Sequence, residues 1–196
     1  MPRSAVPPAL VLALLLLLAP CAGCLGEPAR DNRTAAMTPG TPGTPAPVVP
    51  VAPGDLARFV PEPPPGWRLA APPSAALLDD DGVPFTSVTA GYLPLEDPDG
   101  TGPRGAEITL QDTAGRLAGL REVFDPGSAA EGDGTDRTIL AGHPARVLDG
   151  GIVNGACILV ADRYAVYLAV TGGSRADLDA FLEALDLDGL AAFRQP

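Results

Sequence analysis

Apolar and polar residues alternate along two stretches of this chain. Val88, Ala90 and Tyr92 fall on one side of an extended backbone. Ala106, Ile108 and Leu110 repeat the arrangement, with Glu107, Thr109 and Gln111 opposite. A period of two marks a strand with one buried face. After Asp112 the period lengthens: Leu117, Leu120, Val123 and Phe124 fit a short helix, which Gly115 and Gly119 weaken. Further on, Ile139-Leu140 and Arg146-Val147-Leu148 flank an expected Gly142-His143-Pro144 turn. Ala156–Ala161 and Tyr164–Val170 read as neighbouring strands joined through Asp162-Arg163. Both are nearly continuous in apolar residues, so they belong at the centre of a sheet with both faces covered. The last element is a helix. Ser174 and Asp177 form a capping box, Leu178, Phe181, Leu182 and Leu185 line one face, and Gly189 is expected to break it. Leu190 and Phe193 then close the chain.

Strands, a short helix, more strands and a final helix predict an α+β domain over residues 55–196. Its sheet is expected to be mostly antiparallel, with about five to six strands, one short central helix and a C-terminal helix. About 140 residues can bury roughly two-thirds of their unfolded surface, enough to fold without metals or disulfides. Leu56, Phe59 and Val60 open the domain, followed by Pro63-Pro64-Pro65-Gly66-Trp67. Trp67 reads as a core anchor on the first strand, against the alternative of a stacking platform for a sugar.

The first quarter of the chain has a different pattern. Arg3 precedes an apolar run, Ala9–Ala19, of eleven residues. A membrane-spanning helix needs about twenty, so the run fits the core of a signal peptide over residues 1–23. Leu18-Ala19-Pro20-Cys21-Ala22-Gly23-Cys24 then places small residues before a cysteine. A lipoprotein signal peptidase binds an extended backbone with small side chains just before the cut. The following thiol carries diacylglycerol, with palmitate as an acyl chain. Cys21 competes for this role, but Pro20 lacks an amide hydrogen and has a fixed φ, whereas Ala22 and Gly23 suit the cleft. Cys24 is therefore the expected lipidation site. Plain secretion and an uncleaved anchor are the alternatives.

Residues 24–54 read as a tether. Thr38-Pro39-Gly40, Thr41-Pro42-Gly43 and Thr44-Pro45-Ala46 form a short repeat, with Pro47, Pro50 and Pro53 following. Proline at this density excludes helix and sheet, and about thirty residues in polyproline form reach on the order of 90 Å. Asn32-Arg33-Thr34 is a glycosylation sequon, making Asn32 a candidate for modification.

Charge removes several function classes. The chain has 24 acidic residues against 13 basic ones. All the basic residues are Arg, which excludes Schiff-base lysines, Ser-Lys dyads and phosphate-loop lysines. The acidic balance argues against nucleic acid as a partner. Anionic headgroups should repel the domain, so membrane contact is expected through the lipid on Cys24.

Candidate chemistry is sparse. His143 is the single histidine, and the chain has no Gly-x-Ser-x-Gly elbow to accompany it. Asp79-Asp80-Asp81, Asp97-Pro98-Asp99-Gly100-Thr101-Gly102 and Glu131-Gly132-Asp133-Gly134-Thr135-Asp136 invite a calcium reading. The second of these starts like an EF-hand loop but places Ile108 where a bidentate Glu is needed. All three read more simply as solvated acidic turns. Cys157, in an apolar strand, reads as a small buried hydrophobe. No catalytic residue, metal ligand or cofactor is therefore assigned.

Several motifs together resemble a known group. They are Pro64-Pro65-Gly66-Trp67, Ala90-Gly91-Tyr92, Ile108-Thr109-Leu110-Gln111-Asp112-Thr113, Gly142-His143-Pro144-Ala145, Asp162-Arg163-Tyr164-Ala165-Val166 and Ala184-Leu185-Asp186. They resemble uncharacterised exported lipoproteins of archaea and bacteria, and more loosely Mog1/PsbP-like domains, which are binding or assembly modules. The resemblance implies no activity and transfers no functional residue. The expectation is a non-enzymatic binding or accessory module on the extracytoplasmic face of a cell membrane, with an envelope protein as candidate partner. A carboxylate-based surface hydrolase and a structural envelope component are the alternatives.

Overall fold

A computed structural model describes residues 48–80, 82–97, 99–115 and 135–193. The chain divides into two units, 1–47 and 48–196, and the second contains all the described residues. The predicted helix around Leu117–Phe124 lies outside them, as do Cys21, Cys24 and Asn32.

Among the described residues, eight strands form one sheet, in which every pairing is antiparallel. They are β1 (Trp67–Leu69), β2 (Ser74–Asp80), β3 (Val83–Pro94), β4 (Gly105–Asp112), β5 (Thr135–Leu140), β6 (His143–Asp149), β7 (Val153–Val160) and β8 (Tyr164–Thr171). The order is β1-β3-β4-β8-β7-β6-β5, and β2 also pairs with β3. The helices are short: α1 (Pro53–Leu56), a 3₁₀ turn (Ala57–Phe59), α2 (Arg175–Ala184) and α3 (Leu187–Ala192). An antiparallel sheet with short helices fits the α+β class, but eight strands replace the expected five to six. The main addition is β2, where Asp79 and Asp80 pair with Pro84 and Val83. Both residues thus belong to a strand instead of the expected acidic turn, although the Asp79 carboxylate reaches into the turn to accept from the Gly82 N–H at 2.8 Å.

Alternation survives into three dimensions. Thr86, Val88, Ala90 and Tyr92 of β3 are buried while their neighbours are only partly covered. β8 lies at the middle of the sheet, and six of its eight residues are buried, on both faces. One row across the sheet joins Ala90, Ile108, Leu168 and Ala156, and the next joins Val88, Leu110, Val166 and Ile158. This face packs against Val51, Leu56, Leu178, Phe181, Leu187 and Leu190 to make the core. Phe181 meets Trp67 and Tyr92 edge to face, at 5.1 and 4.9 Å between ring centroids. The Tyr92 hydroxyl donates to the Pro61 carbonyl at 2.8 Å, which satisfies its one polar atom within the apolar layer.

Turns differ from expectation in two places. The β5–β6 hairpin turns at Ala141-Gly142, both with positive φ, and His143 already belongs to β6. A two-residue hairpin needs positive φ at both central positions to match strand twist; Gly142 supplies it freely and Ala141 under strain. Between β7 and β8 the turn is Ala161–Arg163, with Ala161 and Asp162 each at φ 53°. The C-terminal helix is capped as expected, since Ser174 and Asp177 exchange both capping-box bonds. It ends at Leu185 instead of Gly189. Asp186 then caps α3 by accepting from the Gly189 N–H at 2.8 Å. A Cβ on Gly189 would lie 2.1 Å from that carboxylate, so glycine keeps the cap in place inside the second helix.

Candidate functional site

Asp112 closes β4 on the core-facing side of its alternation, where an apolar residue would ordinarily stand. Its side chain is fully buried, and charge at such a position demands compensation. Four donors provide it. Arg163 gives two, Nε to Oδ1 at 2.8 Å and Nη2 to Oδ2 at 2.7 Å. The Ala114 N–H reaches Oδ1 at 2.9 Å and the Val51 N–H reaches Oδ2 at 2.6 Å. A carboxylate gripped by a two-pronged guanidinium is among the stronger polar contacts a protein can make. The hydrogen bond to Asp112 raises the Arg163 pKa further despite partial burial.

The same group ties down the start of the domain. Arg163 Nη2 also donates to the Val49 carbonyl at 3.1 Å, and the Thr86 hydroxyl donates to the Val51 carbonyl. Thr113 donates to the Arg163 carbonyl through both its N–H and its hydroxyl. Val49–Val51 is thereby clasped to the ends of β3, β4 and β8. Val51 is fully buried, so packed structure begins upstream of the expected boundary at residue 55.

The opposite sheet face carries a row of reactive types. Thr89, Thr109, Tyr167, Cys157 and Arg146 are successive cross-strand neighbours, and the two threonine hydroxyls lie 3.1 Å apart. Burial pushes the Cys157 thiol up to about 12, with Arg146 pulling weakly the other way. The thiolate that nucleophilic chemistry requires is therefore suppressed. Glu107 stands beside this row between Gly91 and Ala169, and burial raises its pKa too. Of the described strand residues on this face, only Asp80 at the far edge is also acidic, so Glu107 has no second carboxylate beside it for a hydrolytic pair.

The other sequence candidates are dispersed. His143 faces the core side, opposite Leu140, and its Nε2 is closed off from solvent with no hydrogen-bond partner among the described residues. Trp67 lies in the core, with the Arg104 guanidinium 5.4 Å from its ring centre. Arg104 also bridges Glu96 and Asp177. Burial alone would raise the Asp177 pKa, but hydrogen bonds from the Ser174 N–H and hydroxyl, with Arg104 and Trp67, hold it below the usual carboxylate range. In the EF-hand-like segment, Asp97 spends its carboxylate on the N–H groups of Thr101 and Gly102. Among the described residues no cluster of three or more His, Cys, Asp or Glu could hold a metal, and no helix is long and apolar enough to cross a membrane.

The Asp112–Arg163 pair is the feature that sequence reasoning missed. Its signal was available: Asp112 has the parity of Ala106, Ile108 and Leu110, which sends a charge into the core and requires a partner. No protein-family model, curated protein or solved structure matches this chain.

Proposed function

We propose that this chain is an extracytoplasmic module, held at a membrane by lipid on Cys24, that binds an envelope partner and performs no chemistry of its own. The observation that carries the reading is the clasp. A domain retained through its N-terminus must resist pull where the tether meets the fold, and Asp112 and Arg163 fasten Val49–Val51 at that place. A buried ion pair is a weak source of net stability but costly to break, which suits a joint better than a core. The eleven-residue apolar run, the small residues before Cys24 and the proline-rich stretch up to residue 47 support the same reading. The motif resemblance to exported lipoproteins belongs to this proposal, and Asn32 is its candidate glycosylation site. Replacing Cys24 with Ser tests it. The protein should move from the membrane to the soluble fraction on cell fractionation; retention of an unprocessed chain at the membrane would assign anchoring to the apolar run instead.

A further inference from the structure

Strand β2 is exposed along its whole length. All seven residues of Ser74–Asp80 are open to solvent, with Leu77 and Leu78 at 58% and 43%. Val83, across the hairpin, is also exposed at 36%. Among the described residues β3 is the one strand that pairs with β2, so the outer N–H and C=O groups of β2 point away from the sheet. Natural edge strands are blunted by Pro, by Lys or other mid-strand charges, or by bulges. Ser74–Asp80 has no Pro, Lys or Arg, and it pairs with β3 residue for residue. Its charge is confined to the last two positions.

We infer that β2 is a self-association edge, which pairs antiparallel with β2 of a second copy about a two-fold axis at Leu77. The charge pattern selects this arrangement. A two-fold normal to the sheet must centre on a residue, because paired side chains share a face. Centring on Leu77 uses all seven residues: Leu77 meets its own copy, Ala76 meets Leu78, and Asp79 and Asp80 meet Ala75 and Ser74. The two Asp79 carboxylates are then offset by four residues, about 13 Å along the strand, which exceeds the screening length of about 8 Å at physiological salt. Parallel in-register pairing would instead set Asp79 beside Asp79 at about 4.8 Å. A cationic strand from another protein would find counter-charges only at Asp79-Asp80. The centre of the edge, Ala75–Leu78, is apolar and complements itself. Association through main-chain bonds with alternate side chains meeting on each face is the general mode of strand addition.

Two single-cysteine additions to the full-length protein, purified in detergent, test the register. Directly opposed residues of an antiparallel pair approach closely enough for a disulfide. Mild oxidation should link Leu77→Cys to its own copy, identified by mass spectrometry as a disulfide between two copies of the peptide that carries the substitution. Asp79→Cys, oxidised in parallel with the unmodified chain, should form no such link. Sedimentation of the unmodified protein should show concentration-dependent dimers. Leu77→Lys, whose effect counts twice across the axis, should raise the dissociation constant by at least about tenfold. Linking at position 79, failure to link at 77, or a monomer at all concentrations up to about 100 µM, far weaker than specific pairs bind, would overturn the inference.

Discussion

Asp112 is the residue on which the clasp of Val49–Val51 turns. Replacing it with Ala leaves Arg163, whose side chain is only 19% exposed, without its carboxylate, and frees the N–H groups of Val51 and Ala114. Breaking a pair of this kind by removing one partner costs about 3–5 kcal/mol. Urea unfolding of Asp112→Ala should show that loss, and limited proteolysis should open the chain near Val49–Val51 before the rest. Glu107 makes the opposite kind of prediction. Its folded pKa lies above the ordinary value of 4.5, so between those two values the native state holds more protons than the unfolded one. Stability therefore falls as pH rises through that window. Glu107→Gln should raise the melting temperature at about pH 7 and leave it nearly unchanged at about pH 4, below the window. Single residues were only partly legible in the sequence. Asp112 could be placed by parity, but Arg163 could not be named as its partner, because a contact spanning 51 positions depends on the register of β4 against β8.

Local periodicity carried the elements whose burial differs between faces. β3, β4, β7, β8 and α2 were legible because one side of each, or both, meets the core. β2 was not, since none of its residues is buried and no alternation distinguishes in from out. Turn positions were missed for a related reason: hairpin geometry depends on φ at two residues, and alanine at positive φ leaves no mark in composition. That strain is testable. Ala141 has φ 47° ahead of Gly142, and Asn-Gly is the favoured pair for such hairpins. Ala141→Asn should stabilise the protein by about 0.5–1 kcal/mol in denaturant titrations, because asparagine tolerates the left-handed region better than alanine. At the other end of the domain, Ser174→Ala removes half of the capping box of α2. It should cost about 1 kcal/mol by the same measurement.

At the scale of the whole molecule, three segments with different physics share one chain: an apolar run, a proline-rich stretch and an antiparallel-sheet domain whose opening residues, Val49–Val51, are clasped to the sheet. Sheet and helices follow from burial, and the antiparallel sheet and the C-terminal helix were legible in the sequence although the strand count was not. On the reading proposed above, a covalent lipid on Cys24 would hold the domain in place, and the sign of it in the sequence is the run of small residues ahead of that cysteine. Intact-mass and N-terminal peptide mass spectrometry of the protein isolated from membranes tests that claim most directly. The mature chain is expected to start at Cys24 with diacylglycerol on its thiol. A chain that starts elsewhere with an unmodified residue, or that retains residues 1–23, would contradict it.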